Sequence, residues 1–438
     1  MAFRSDPPSR RTAFINARLL DPASKLDAPG AVLCEGESIA DFGPNVFADG
    51  VPDGIDAIDC TGLCLCPGLI DMRVQLREPG YEHKGTIASE GQAAVAGGVT
   101  SMVCLPNTQP VIDDMSVVEF MARRARLIGL AKVYAYGAVT KGLAGQELAE
   151  IGLLAQSGAL AFTDGLKAVK DPQVMRRALS YAATFGLLII QHPEESSLSD
   201  NGDMNAGELA TRAGLSGIPR EAEIIMVERD LRLAEMTGGR LHIAHLSTAE
   251  AVDIIRWAKA RGVAVTCDTA PPYFALNELS IGDYRTFAKL SPPLRTEDDR
   301  LAIVEGLCDG TIDAIASDHA PQDEESKRLP FAQAAFGGVG LETLLPVCLE
   351  LHHNGKMPLL DVLKLLTSAP ADLLNLTAGK LAKGRPADLT IFHPERGWKV
   401  DADNLVSKSK NTPFDGRLVQ GMIMRTVIDG RTVYEHEG

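Results

Sequence analysis

Two histidines and one aspartate at the ends of three predicted strands are the residues best suited to chemistry. His192, His245 and Asp318 each follow a short apolar run. Imidazole and carboxylate groups together form a zinc-compatible set, and catalytic zinc sites commonly use three protein ligands with one open position. The alternative for each histidine is a buried structural residue whose ring nitrogens are satisfied by hydrogen bonds.

An earlier strand, residues 69–76, carries an unusual polar row that ends just beyond it. Asp71, Arg73, Gln75 and Arg77 alternate with apolar residues and therefore share one face of an extended chain. A strand in a parallel sheet is normally apolar on both faces. The row indicates either an inward network of salt bridges or a pocket, and we favour a pocket because buried charges need a partner or a purpose.

These residues lie on strands that alternate with amphipathic helices. Eight strands and the helices between most of them predict an α/β fold, a (β/α)8 TIM barrel, whose chemistry sits at the carboxyl ends of the strands. The predicted strands are 69–76, 100–105, 132–139, 159–163, 187–192, 241–246, 264–269 and 314–318. The predicted helices are 115–127, 146–155, 171–184, 220–235, 248–261 and 297–308.

The two chain ends differ from this middle. Both read as short strands separated by turns, which predicts a small β-sandwich domain formed by residues 1–66 and 379–438 around a barrel at 67–378. Long connections at 193–218, 271–295 and 320–340 follow three barrel strands, and connections at that rim usually cover or form a site. The charged stretch 322–337, which ends at a glycine pair, could form either an ordered lid or a mobile loop.

Composition excludes several partners. The 438-residue chain has a net charge of −15, which disfavours nucleic acid and anionic membranes. No apolar run is long enough to span a membrane, and we expect a cytoplasmic protein. Cys60, Cys64 and Cys66 lack a second cysteine pair, so we expect buried free thiols there and not a zinc site.

Motifs throughout the chain resemble the class I dihydroorotases of the amidohydrolase superfamily. They extend over nearly the whole length, including both β-rich ends. They are Pro67–Gly80 (PGLIDMRVQLREPG), Glu82–Lys84 (EHK), Leu105–Thr108 (LPNT), Gly217–Glu223 (GIPREAE), Leu241–Thr248 (LHIAHLST), Pro292–Arg295 (PPLR), Asp309–Asp313 (DGTID) and Asp318–Pro321 (DHAP).

The resemblance implies which positions would hold metal. The family's hydrolases use a His-x-His pair on the first barrel strand, a bridging acid, two later histidines and a final aspartate. The later histidines are kept as His192 and His245, and the aspartate is kept as Asp318. The lost ligand positions are Arg73, Gln75 and, for the bridging acid, Gly165, with the preceding acid of that motif kept as Asp164.

The same resemblance implies the positions around a substrate. The binders of a substrate carboxylate are kept as Arg77 and Asn107. A substrate-side asparagine is replaced by Ser291, and a histidine that often follows the last motif is replaced by Gln322.

These replacements predict little or no hydrolysis. A protonated arginine has no lone pair for a metal, and an amide oxygen is a poor zinc ligand. Metal lowers the pKa of water from about 15.7 to about 7, worth roughly 12 kcal/mol, whereas Asp318 as a general base supplies roughly 3–5 kcal/mol. We expect Arg73 to occupy the space of the first ion and to pair with Asp318.

Three functions follow from the resemblance. The leading one is a non-catalytic partner of aspartate carbamoyltransferase, expected as a homodimer with no cofactor. The second is an active cyclic amidohydrolase that interconverts carbamoyl aspartate and dihydroorotate with one weakly bound zinc at His192, His245 and Asp318. The third is a module that binds a small carboxylated pyrimidine precursor through Arg77 and Asn107 without reacting it.

Overall fold

Alternating strands and helices build a barrel between two β-rich chain ends, in a computed structural model that describes residues 11–436. The strands are β1 (Arg11–Asp21), β2 (Leu26–Glu35), β3 (Ser38–Gly43), β4 (Asp56–Asp59), β5 (Cys64–Pro67), β6 (Leu69–Val74), β7 (Val99–Cys104), β8 (Lys132–Ala135), β9 (Leu188–Gln191), β10 (Met204–Asn205), β11 (Gly217–Ile218), β12 (Arg240–Ile243), β13 (Val265–Thr269), β14 (Ala314–Ile315), β15 (Leu389–Lys399), β16 (Leu418–Ile428) and β17 (Arg431–Glu435).

The α-helices lie mainly between the barrel strands. They are α1 (Ile87–Ala96), α2 (Met115–Ile128), α3 (Ile151–Gln156), α4 (Pro172–Ala183), α5 (Ser196–Ser199), α6 (Glu208–Ala213), α7 (Glu221–Thr237), α8 (Ala249–Ala260), α9 (Pro271–Ala275), α10 (Glu297–Cys308), α11 (Glu324–Arg328), α12 (Leu344–His353), α13 (Leu359–Leu366) and α14 (Ser368–Leu373). No helix within residues 11–436 is long and apolar enough to cross a membrane.

The predicted barrel is confirmed. Parallel pairing joins β6, β7 and β8 in one group and β9, β12, β13 and β14 in another. Phe162 bridges the two groups by pairing with Gly137 and Ile189, and Val74 closes the ring by pairing with His319. Every residue of β6 and β7 is buried, as expected for strands covered by helices on one side and by the barrel core on the other.

One predicted helix begins later in the structure, and several helices, among them α1, α12 and α13, were not predicted. Helix α3 begins at Ile151 and not near residue 146, because residues 148 and 149 pair instead with the backbone of Thr140 and Val139. Helix α1 was not predicted, since its residues are mostly small and its apolar stripe is weak. The sequence does contain a signal for the start of this helix, because Thr86 and Ser89 form a capping box there.

Both chain ends contribute to one small β-sandwich domain. Strands β1 to β5 pair with β15 to β17 in the order β17-β16-β15-β5-β1-β2-β3, and β4 pairs with β1. The domain has its own apolar cluster, which includes Phe14, Leu19, Leu65, Ile391 and Val427. Cys60, Cys64 and Cys66 are buried and free, and burial raises the pKa of the Cys64 thiol to about 11.

Candidate functional site at the barrel mouth

Arg73 and Asp318 form an ion pair at the barrel mouth. Arg73 Nε donates to Asp318 Oδ1 at 2.9 Å, and the Arg73 side chain is 2% exposed. Arg73 Nη2 lies 3.4 Å from the carbonyl oxygen of Gly165, to which it donates. The guanidinium therefore contacts both the kept aspartate and the backbone at the lost bridging-acid position. The expected contact between Arg73 and Asp318 is present.

His192 and His245 lie beside this pair and contact each other. His192 Nδ1 and His245 Nε2 share a hydrogen bond at 2.6 Å, and His245 Nδ1 lies 3.6 Å from Asp318 Oδ1. The outward nitrogens, His192 Nε2 and His245 Nδ1, have no hydrogen-bond partner among the described residues. Burial first, and then the electrostatic interactions with His245 and Arg73, lower the pKa of His192 well below its usual value, which keeps that ring neutral.

Asp318 stays ionised in this setting. Burial raises the pKa of its carboxyl group, but His245 and Arg73 lower it by more, so the resulting pKa lies below the usual range. A carboxylate held by a guanidinium and with a lowered pKa is a weak general base. The pair is neutral overall, and it offers a poor proton acceptor.

Three of the candidate residues have backbone angles in the left-handed region. The φ angle is 64° at Arg77, 38° at His245 and 52° at Asp318. Such angles are uncommon for residues other than glycine and store strain that the surrounding structure must hold. Strained residues cluster at functional sites, so this end of the barrel has kept the backbone of a site.

The donor set does not fit a two-metal centre. Gln75 Oε1 accepts a hydrogen bond from Asn107 Nδ2 at 3.0 Å, and Gly165 has no side chain. Asp164 is committed elsewhere: it accepts from the amides of Val139 and Thr140 and from the Thr140 hydroxyl. No group of three or more histidine, cysteine, aspartate or glutamate residues within 11–436 is arranged to hold a metal ion.

The implied carboxylate binders contact protein groups. Arg77 Nε donates to the carbonyl oxygen of Pro321 at 2.9 Å, while its Nη2 is buried without a partner. Burial lowers the pKa of Arg77 to about 10, so its guanidinium stays charged at neutral pH. Asn107 is held by Gln75. Arg77 thus keeps one unsatisfied, charged donor.

Ser291 and Glu194 line a cavity of about 490 Å³ next to the histidine pair. Glu194 Oε2 lies 3.8 Å from the outward nitrogen of His192. Sequence reasoning missed Glu194, although its spacing of two residues from His192 on an extended segment would have indicated it. Gln322 does not face this cavity: its side chain accepts from Lys84 Nζ at 2.8 Å and donates to the carbonyl oxygen of Phe336.

Two further histidines of these motifs, His242 and His319, make structural contacts. His242 contacts Thr266 and Asp268 inside the barrel wall. His319 Nε2 pairs with Glu90 at 2.8 Å, and both residues are fully buried. These buried polar contacts brace the strands that carry the site.

Known proteins match the chain over almost its whole length. Residues 62–251 match the Dihydro-orotase-like family, and residues 232–434 match the Amidohydrolase family. A protein named Dihydroorotase from Anaplasma phagocytophilum is 47% identical over 431 residues, covering 97% of this chain and 95% of the relative. Another from Syntrophotalea carbinolica is 48% identical over 420 residues, covering 96% and 98%. The chain belongs to the dihydroorotase family of amidohydrolases.

Solved structures support the fold of this dihydroorotase-family chain. An L-hydantoinase (dihydropyrimidinase) from Arthrobacter aurescens superposes with a TM-score of 0.86 at 24% identity, covering 97% of this chain and 96% of that one. A dihydropyrimidinase from Brevibacillus agri gives 0.85 at 22%, covering 97% and 95%. The relatives are named as dihydroorotases, and the expected loss of hydrolysis in this chain stays a prediction.

Proposed function

We propose that this dihydroorotase-family chain is a non-hydrolysing member of pyrimidine biosynthesis. The observation that carries the proposal is the guanidinium of Arg73, which contacts Asp318 and the carbonyl oxygen of Gly165. The positively charged side chain of Arg73 therefore lies among the residue positions that would share a metal ion. It neutralises Asp318 but supplies no nucleophilic water and no open coordination position.

Two arguments from charge support this reading. A metal ion next to a buried guanidinium would meet like-charge repulsion at close range, which is severe in a low-dielectric interior. Asp318 is also already paired, so a metal would have to displace a charged partner that is 2% exposed. The arrangement stabilises the barrel mouth without the ion.

The role that we propose is a scaffold for aspartate carbamoyltransferase, with the chain acting as a homodimer. The proposal draws on family resemblance together with a fully formed barrel around replaced ligand positions. Size-exclusion chromatography with light scattering on a mixture of the two purified proteins tests it. A joint peak heavier than either component supports the scaffold, and two separate peaks at micromolar concentrations would contradict it.

Loss of hydrolysis is tested on the purified wild-type chain. Elemental analysis is combined with assays of dihydroorotate hydrolysis and of carbamoyl aspartate cyclisation in added zinc. We expect substoichiometric metal and no turnover. The matched control is the double variant His192→Ala/His245→Ala. One tightly bound metal per chain with turnover, both lost in that control, would establish the single-metal hydrolase and contradict the proposal.

A second function, binding of a carboxylated precursor without reaction, is favoured by one contact. Arg77 keeps Nη2 buried and unpartnered, and this charged donor suits a carboxylate. Calorimetric titration with dihydroorotate tests it, with Arg77→Gln as the control. Heat that disappears in the control supports binding, and equal heats in both proteins would exclude a role for Arg77.

A further inference from the structure

Two buried lysines hold the segment 320–337, which follows the last barrel strand, against the neighbouring rim connection. Lys289 and Lys327 are 2% and 3% exposed. An ammonium group has three donors and no acceptor, so its burial is favourable only where several oxygens surround it. Both side chains meet this requirement mainly through backbone carbonyl groups.

Lys289 joins three connections of the barrel mouth. Its Nζ donates to Asp203 Oδ1 at 3.0 Å, to the carbonyl oxygen of Phe331 at 2.8 Å and to that of Ala332 at 2.9 Å. Asp203 belongs to the connection after β9, Lys289 to the one after β13, and the two carbonyls to the segment 320–337. Its ammonium also lies 4.6 Å from the centre of the Phe336 ring.

Lys327 reaches back from the segment in the opposite direction. Its Nζ donates to the carbonyl oxygens of Thr286 at 2.9 Å and Ala335 at 2.7 Å, with that of Lys289 at 3.4 Å. Thr286 Oγ1 in turn donates to the carbonyl oxygen of Lys327 at 2.6 Å. The two lysines therefore fasten the segment to residues 286–289 from both sides.

The two ends of the segment are held together by several hydrogen bonds, among them that of Gln322 Nε2 to the carbonyl oxygen of Phe336 and two from one side chain outside the segment. Asn411 Nδ2 donates to the carbonyl oxygens of Ala320 at 3.2 Å and Gly337 at 2.9 Å. Gly337 has a φ angle of 118°, where a side chain would be strained and a Cβ would lie 2.8 Å from the Cβ of Ala320. Because the ends meet, the segment can move without displacing the barrel strands, as a loop with closed ends does.

Apolar burial holds only part of the segment, since Phe331 and Ala334 are buried while the stretch 328–330 is exposed. Phe331 packs fully into a core cluster, whereas Leu329 is 44% exposed. The charged form of Lys327 is disfavoured in place, since burial and the charge of Lys289 lower its pKa to about 7. Release into water restores hydration to both ammonium groups, which offsets the lost hydrogen bonds. We therefore expect opening of the segment to cost less free energy than unfolding of the barrel.

We propose that the segment 320–337 is a cover of the barrel mouth that Lys289 and Lys327 hold closed, and that it opens as a unit while the barrel stays folded. In the closed position Ala332, Ala334 and Phe336 form one wall of the cavity that Glu194 and Ser291 line. The carbonyl oxygen of Pro321 accepts a hydrogen bond from Arg77 Nε. Opening widens access to the histidine pair and frees Arg77, whether or not the site reacts with anything.

Hydrogen–deuterium exchange followed by mass spectrometry tests the cover on the full-length protein. In the wild type, amides of 322–336 should exchange together and faster than those of β12 and β13. Lys289→Met should speed exchange in 322–336 by about 10-fold to 100-fold, the loss expected for charge-assisted hydrogen bonds, and leave β12 and β13 protected. The matched control is Arg328→Met, on the same segment but exposed and paired only with Glu324, which should change nothing.

Asp203→Asn keeps the test decisive if Lys289→Met fails to fold, because it removes only the charge on one acceptor. Faster exchange confined to 322–336 in Asp203→Asn supports the cover. The inference is overturned if 322–336 exchanges in the wild type only together with β12 and β13. It is also overturned if neither variant that folds changes exchange in that segment.

Discussion

The two sides of the barrel mouth differ in the residue types at their candidate ligand positions. On the side of β9, β12 and β14, the ligand types of the family remain as His192, His245 and Asp318. On the side of β6 and the 159–165 stretch, Arg73, Gln75 and Gly165 stand at ligand positions. The first side has histidine and aspartate groups that can bind a cation. The second side supplies the positive charge of Arg73. The comparison shows how the buried carboxylate of Asp318 is neutralised in this chain: the guanidinium of Arg73 pairs with it.

The largest expected effect comes from removing that guanidinium. Arg73→Met leaves Asp318 buried without its charged partner and should lower the free energy of unfolding by about 3–5 kcal/mol. Adding Asp318→Leu should recover most of the loss, because the unpaired charge is then gone. Urea denaturation at neutral pH measures both. Additive losses in the double variant would show that the two residues are not coupled.

The second effect is a pH dependence on the kept side. The pKa of Asp318 is lowered in the folded chain, so its stabilising contribution is complete above the unfolded value of about 3.9 and is lost as pH falls through the folded value. Stability should therefore fall more steeply below pH of about 4 in the wild type than in Asp318→Asn, by up to about 1.36 kcal/mol per pH unit. Parallel profiles from urea denaturation at each pH would contradict this.

The smallest effect belongs to an ion pair of the same length on the surface. Lys383 Nζ lies 2.9 Å from Asp41 Oδ1, with side chains 64% and 42% exposed. Lys383→Met should change the free energy of unfolding by less than about 1 kcal/mol, because water screens the pair. Thermal and urea denaturation check it. If Lys383→Met lowered the free energy of unfolding as much as Arg73→Met does, burial would not explain the contribution of the inner ion pair.

The fold was predictable because its periodicity is strong. Short apolar runs alternating with amphipathic stretches located all eight barrel strands, including 159–163, whose Phe162 pairs with Gly137 and Ile189. Helix α1 escaped prediction because its small residues give no clear apolar stripe. The early start predicted for α3 failed because pairing with residues 139 and 140 overrode local helix propensity.

The site was predictable in its residue types and less so in its contacts. Spacing and resemblance predicted the contact between Arg73 and Asp318, because they place both residues at the same end of the barrel. The contact of Arg77 with Pro321 and the lysine contacts of 320–337 depend on how long connections fold back. Those contacts join residues far apart in sequence, and no local pattern encodes them. Glu194 was missed although its spacing of two residues from His192 was a usable signal, because a lone acidic residue in a long connection does not by itself indicate a site.

The central claim is tested most directly by rebuilding the lost side of the mouth. The variant Arg73→His/Gln75→His/Gly165→Asp restores the family's ligand types. A Cβ at residue 165 would meet nothing closer than 3.7 Å, and the φ angle of 71° there is one that aspartate tolerates better than most residues, at some cost in strain. Metal content and dihydroorotate hydrolysis are measured beside the wild type in added zinc. The account predicts a metal-poor, inactive wild type and a variant that gains metal. A wild type that binds metal and hydrolyses dihydroorotate with Arg73 in place would contradict it.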